Sequence, residues 1–220
     1  MNRTRGTAAL VMMATIALVG SVATPAFAAS DKQIARASTL KVSDLSGTAW
    51  TSTPHKESPD VKLPACAPTN KADKAAAKQG SAHSPDFSDS GGTQIRNTVY
   101  VFPSVKDAKA YLAAFRLPTA LECLQQGADQ SLQGSGETAK ISDLAVGGAP
   151  KPIAEGVGFQ GVITGVPASQ NNGADVYLQA VAFRVGRAVT GLTTMNINKS
   201  YPETEKLVLK SVARLAKNLK

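Results

Sequence analysis

The sequence predicts an α+β protein in which an antiparallel five-stranded sheet is covered by two main helices, a sandwich with one disulfide. Three observations predict it. Five runs rich in β-branched and aromatic residues lie between residues 93 and 197, the last two joined by a two-residue turn. Two segments, one before the last four runs and one closing the chain, repeat apolar residues at helical spacing. The chain carries only two cysteines, behind a leader that addresses it to an oxidising compartment.

The leader spans residues 1–28. Arg3 and Arg5 precede an apolar run from Ala8 to Val22, and Ala26-Phe27-Ala28 supplies the small residues that signal peptidase accepts. The run is interrupted by Thr15, Gly20 and Ser21, and crossing the bilayer core takes roughly 20 apolar residues. Cleavage is therefore expected between Ala28 and Ala29. No cysteine stands at that point to carry a lipid, so the product reads as secreted or extracellular, or cell-wall-associated, with no transmembrane segment in the mature chain, a retained N-terminal anchor being the alternative. Cleavage removes two of the 24 basic residues and no acidic one, and the net charge falls from +8 to +6. A basic balance favours anionic surfaces such as wall polymers or lipid headgroups.

Residues 29–35 read as a linker, followed by a single domain over 36–220. Leu40, Val42, Leu45 and Trp50, broken by Asp44 and Gly47, suggest a helical turn docking onto the main body, with Trp50 as packing anchor. From 51 to 92 the composition is Ser, Pro, Lys, Asp and Gly and reads mostly as loop. Its one helical piece, Lys71 to Lys78, offers only alanines to a core and should be weakly held.

Thr93 to Phe102 is the first strand. Ala108, Tyr111, Leu112 and Phe115 then mark a helix capped by Ser104, and Pro118 separates it from a second helical piece through Leu121 and Leu124 that carries Cys123. Four further strands are expected at Ala139 to Val146, Val157 to Thr164, Asp175 to Val185 and Ala188 to Ile197. Gly186-Arg187 suits a two-residue hairpin, and Gln170-Asn171-Asn172-Gly173 a turn, so the strands should form a consecutive meander. Ser200-Tyr201-Pro202-Glu203 reads as a capping box for a closing helix with the apolar stripe Val208, Val212, Leu215 and Leu219.

The helix SVKDAKAYLAAF (104–115), the turn LPTALECL (117–124), the meander ending in FRVGRAVTGLT (183–193) and the closing helix resemble the PknH-like family of actinobacterial secreted sensor domains. The resemblance covers roughly residues 36 to 220. It implies an antiparallel sheet flanked by helices, with a cleft for an unidentified ligand. This chain departs from the family type in having no kinase domain, no membrane helix and fewer cysteines, so one staple carries over.

Cys66 and Cys123 would close a 57-residue interval, which chain-entropy arithmetic values at about 4 kcal/mol. A reactive thiol or a metal ligand are the alternatives; an even count in an exported chain, with no adjacent histidine, favours the disulfide. Gly156-Val157-Gly158-Phe159-Gln160-Gly161 matches the dinucleotide expression GxGxxG, but Val162-Ile163-Thr164 continue as strand where a phosphate cradle needs a helix N-terminus. Gly134-Ser135-Gly136 lacks the frame of a P-loop or a nucleophile elbow. His55 and His83 are the only histidines, and neither has a sequence neighbour that makes a metal-ligand pattern.

No cofactor, metal or nucleic-acid module is signalled, and no spacing selects a catalytic set. Tyr100, Tyr177 and Arg184, with Arg96 and Arg187, are the candidates for a cleft that binds a small molecule or an envelope component, ordinary strand decoration being the alternative. Lys206, Lys210, Arg214 and Lys217 are spaced along one helix face, which suits contact with an anionic polymer or lipid surface or simple solvation. The expected function is a non-enzymatic ligand-binding or sensor-like protein of the cell envelope. A cell-wall-modifying hydrolase and an adhesion protein working through its basic C-terminal helix are the alternatives.

Overall fold

The computed structural model describes residues 30–47, 49–56, 62–144, 155–165 and 173–220. The expected cleavage point between Ala28 and Ala29 and most of the turn at 170–173 lie outside them.

The long strands form where alternation is strongest. They are β4 (Gln94–Val101), β5 (Thr138–Asp143), β6 (Glu155–Thr164), β7 (Val176–Val185) and β8 (Ala188–Ile197). The last four run as the expected antiparallel meander, and β8 then pairs with β4. Val185 faces Ala188 across the hairpin, whose first turn residue, Gly186, has φ 56°, a value that glycine adopts without steric cost.

Three short strands extend the sheet where the composition suggests loop, making eight strands among the described residues rather than five: β1 (Thr51–Thr53), β2 (Gly80–His83) and β3 (Asp86–Ser88). β2 and β3 both pair with β4, along successive stretches of it. Pro85 falls between them, where the Ser84 hydroxyl accepts the Asn97 N–H (3.0 Å) in place of a ladder bond. β1 lies outside β3 at the sheet edge.

Helices cover both faces, whereas one covered face was expected. On one side α5 (Thr204–Asn218) and α1 (Asp31–Ser38) pack on Ile95, Val99, Val181, Phe183 and Leu192, with Leu207, Leu215 and Leu40 almost fully buried between them. Each such leucine contributes about 2 kcal/mol of apolar burial. On the other side α3 (Val105–Phe115) lies with α2 (Ala67–Ala77) and α4 (Pro118–Ser131) around Phe102, Tyr111, Leu112 and Val189.

Caps explain two departures in helix boundaries. α1 occupies the stretch expected as linker, because Ser30 accepts the Gln33 N–H while the Gln33 side chain accepts the Ser30 N–H. The Ser200-Glu203 box does not form. α5 starts after Glu203, and the Thr204 hydroxyl instead reaches the Tyr201 carbonyl (2.9 Å). The Ser104 cap holds as expected, accepting the Asp107 N–H.

Cys66 and Cys123 are joined in a disulfide that ties the start of α2 to α4. That bond, with the Tyr111 hydroxyl donating to Asp73 (2.9 Å), holds a helix whose buried face offers little beyond Thr69 and Ala76. Trp50 meets Tyr201 edge to face, 6.4 Å between ring centres, and its indole N–H donates to the Ser46 carbonyl.

At the centre, Asn97 is fully buried on the α5 side of β4. Its carbonyl oxygen accepts the Leu40 N–H (2.9 Å), and its amide nitrogen donates to the Gly191 carbonyl (2.7 Å) and the Thr190 hydroxyl (3.0 Å). One side chain thus joins the N-terminal segment to two central strands.

Candidate ligand groove

Strand alternation sends every second residue to the face opposite α5. The register there aligns Arg96 with Thr193 and Ala180, Thr98 with Gly191 and Ala182, and Tyr100 with Val189. α2, α3 and α4 roof only part of that face. Between roof and sheet lies a hollow of about 230 Å³ with a floor of small residues, Thr98, Ala180, Ala182 and Gly191, and walls of Tyr100, Tyr111, Phe115, Leu124 and Phe159. Beyond Arg96 and Thr193 a second, more polar hollow of about 340 Å³ continues to Thr53, Ser88 and Gln94 near the β1 edge. Together they make one groove, apolar under the helices and polar toward the edge.

A polar network crosses the groove where the two hollows meet. Arg96 grips Asp86 through Nε (2.7 Å) and Nη2 (3.0 Å), and His55 Nδ1 shares the same carboxylate at 3.0 Å. Burial works against the Asp86 charge, but Arg96 and then His55 outweigh it and hold the carboxyl below its ordinary range. The His55 ring stacks on His83 with centres 4.4 Å apart, and His83 Nδ1 meets the Thr98 hydroxyl at 3.0 Å. Tyr100 and Tyr111 pack with centres 5.3 Å apart. Burial, then the neighbouring Asp73 charge, pushes the Tyr111 hydroxyl well above its ordinary value, so it stays protonated and donates to Asp73.

The two histidines, which make no metal-ligand pattern in sequence, thus share a cluster with Asp86 of β3. Among the described residues no three metal-ligating side chains converge. Thr98 and His83 have the spacing of a nucleophile and base, and the Asp86 carboxylate pairs with His55.

The sheet separates the residues expected to share a ligand site. Tyr100 and Arg184 lie on the groove face, whereas Tyr177 shares the parity of Phe183 and lies on the α5 face. Arg184 is buried and committed: Nε donates to Glu155 (2.9 Å) and Nη1 to the Gly186 carbonyl (2.7 Å). Arg187 is held by Asp31 and the Phe102 carbonyl. Of the strand-associated arginines read from sequence, Arg96 is the one at the groove.

The basic stripe of α5 is spent largely on the protein itself. Arg214 donates to the Thr39 carbonyl and to Asp44 (both 2.6 Å), Lys210 to the Asp44 carbonyl, and Lys206 to the Ser46 hydroxyl (3.2 Å). These bonds strap residues 39–46 onto the helix. Lys217, near the end of α5, is exposed.

The GxGxxG segment lies within β6, and packing explains two of its glycines. A Cβ at Gly156 would come within 2.7 Å of the Phe183 ring, and one at Gly161 within 2.5 Å of the Ile141 side chain. Gly191 differs: a Cβ there meets nothing nearer than 3.9 Å.

Among the described residues no helix is long and apolar enough to cross a membrane. No protein-family model and no curated protein matches the chain. Its fold is similar to that of the extracellular domain of PknH from Mycobacterium tuberculosis, with a TM-score of 0.53 at 13% identity over 84% of this chain and 96% of that one. That likeness shows that this chain shares the fold of the PknH extracellular domain.

Proposed function

We propose that this protein is a secreted, non-enzymatic ligand-binding or sensor-like component of the cell envelope, and that the groove between the sheet and α2–α4 is its ligand site. One observation carries the reading: a sheet face only partly roofed, with small residues as floor and tyrosine and phenylalanine as walls, opening onto a polar cluster. The fold shared with an extracellular sensor domain, the disulfide and the leader-like sequence of residues 1–28 support an extracellular setting. The ligand would be a small molecule or a fragment of an envelope component.

Native mass spectrometry of the protein purified from its own host tests this. A retained mass that disappears in Gly191→Val, with the melting temperature not lowered, is the expected result. A retained mass indifferent to that substitution, or none from any growth condition, would remove the groove from the argument.

A further inference from the structure

Gly191 sits in the middle of β8, between two neighbouring strands and in unbroken register with both. Glycine there weakens a strand, so its presence needs a cause. No bulge requires it, its backbone conformation is open to any residue, and a Cβ would meet only the Val181 and Thr98 carbonyls at 3.9 and 4.0 Å. What the missing side chain provides is space. With Ala180 and Ala182 on β7, it turns the groove floor into a slot between Tyr100 and Phe159.

Arg96 stands at the polar mouth of that slot, bordering both hollows. Asp86 takes its side-on edge, Nε and one N–H of Nη2. Among the described residues nothing accepts from the end-on edge, formed by Nη1 and the second N–H of Nη2. A guanidinium edge offers two parallel donors at the spacing of a carboxylate. Asp73, the other carboxylate lining the slot, already accepts the Tyr111 hydroxyl. Asp86 balances the Arg96 charge, so an arriving anion meets a donor edge rather than a bare cation, and the site discriminates by hydrogen-bond geometry.

We propose that the slot binds a small apolar monocarboxylic acid, with its carboxylate on the end-on edge of Arg96 and its apolar body over Gly191 between Tyr100 and Phe159. The proposal rests on the groove being the ligand site. Two sources supply this chemistry, a free aromatic acid and a short fatty acid, and the probes separate them.

Isothermal titration calorimetry of the protein from its host with sodium 3-phenylpropionate, sodium octanoate and neutral 3-phenylpropionamide is the test. Phenylpropionate should bind at least about tenfold more tightly than its amide, the value of one charge-assisted hydrogen bond. Arg96→Gln should erase that difference, and Gly191→Val, which leaves Arg96 in place, should abolish binding of every probe without lowering the melting temperature. Octanoate outbinding phenylpropionate would assign the slot to acyl chains, and the reverse to aromatic acids. Equal binding of acid and amide, or an acid preference that survives Arg96→Gln, overturns the proposal. If no probe binds while a host-derived mass is retained by the wild type and lost from Gly191→Val, the acid class falls and the groove stands. If neither is seen, both fall.

Discussion

Asn97 offers the sharpest test of how this fold is held. In Asn97→Ala the buried Leu40 N–H loses its acceptor, which costs about 1–3 kcal/mol for an unsatisfied group. The Gly191 carbonyl loses a 2.7 Å donor, while Thr190 and Ser211 keep their own 2.6 Å hydrogen bond and so lose less. Adding the void left by the amide, the expected loss is about 3–4 kcal/mol, a large fraction of the 5–15 kcal/mol typical of a domain. Trp50, the sole tryptophan, packs on Tyr201 and reports unfolding by fluorescence in urea. Hydrogen exchange adds a local readout, because the Leu40 amide should lose protection before the amides of β7. A loss under about 1 kcal/mol, or a Leu40 amide still protected to the level of the β7 core, would refute the central placement of Asn97.

Replacing both cysteines by serine should remove about 4 kcal/mol, read as a lower urea midpoint, and the wild-type mass should rise by two hydrogens on reduction. Arg214→Ala frees the Thr39 carbonyl and Asp44 and should cost about 2 kcal/mol with faster exchange in residues 39–46, whereas Lys217→Ala should stay within about 0.5 kcal/mol. Asp31, Asp44, Asp86 and Glu155 are all held below their ordinary pKa, Asp31 through its hydrogen bonds to Arg187, and the others against burial through Arg214, Arg96, and Arg184 with Arg116. Their folded values lie below the unfolded ones, so their contribution is complete above about pH 4–5 and lost as pH falls through the folded values. Unfolding free energy should therefore be flat from pH 7 to 5 and fall steeply below 4; a decline that starts near pH 6 would refute the assignment of acid sensitivity to these carboxylates.

What the sequence made legible follows from how far each signal reaches along the chain. β4 and β6 to β8 are eight to ten residues long and alternate, so their positions and the hairpin at Gly186 were readable, as was the Ser104 cap three residues from its partner. β1, β2 and β3 were not, because three or four residues with Pro85 between two of them carry no period. Arg184 looked like a free cation because Glu155, its partner, lies 29 residues away and only the β6–β7 register brings it opposite. The groove was out of reach for a related reason. Periodicity identifies α3 and α5 as amphipathic but is silent on which sheet face each covers, and their placement on opposite faces is what leaves Arg96, Thr98 and Tyr100 under a partial roof. One local signal was present: Gly191 interrupts an alternating strand with no turn or bulge to account for it. A residue that weakens a central strand, with no steric demand for its smallness, makes room on the groove face, and that room lies beside the one groove-facing arginine among the described residues whose end-on edge has no partner.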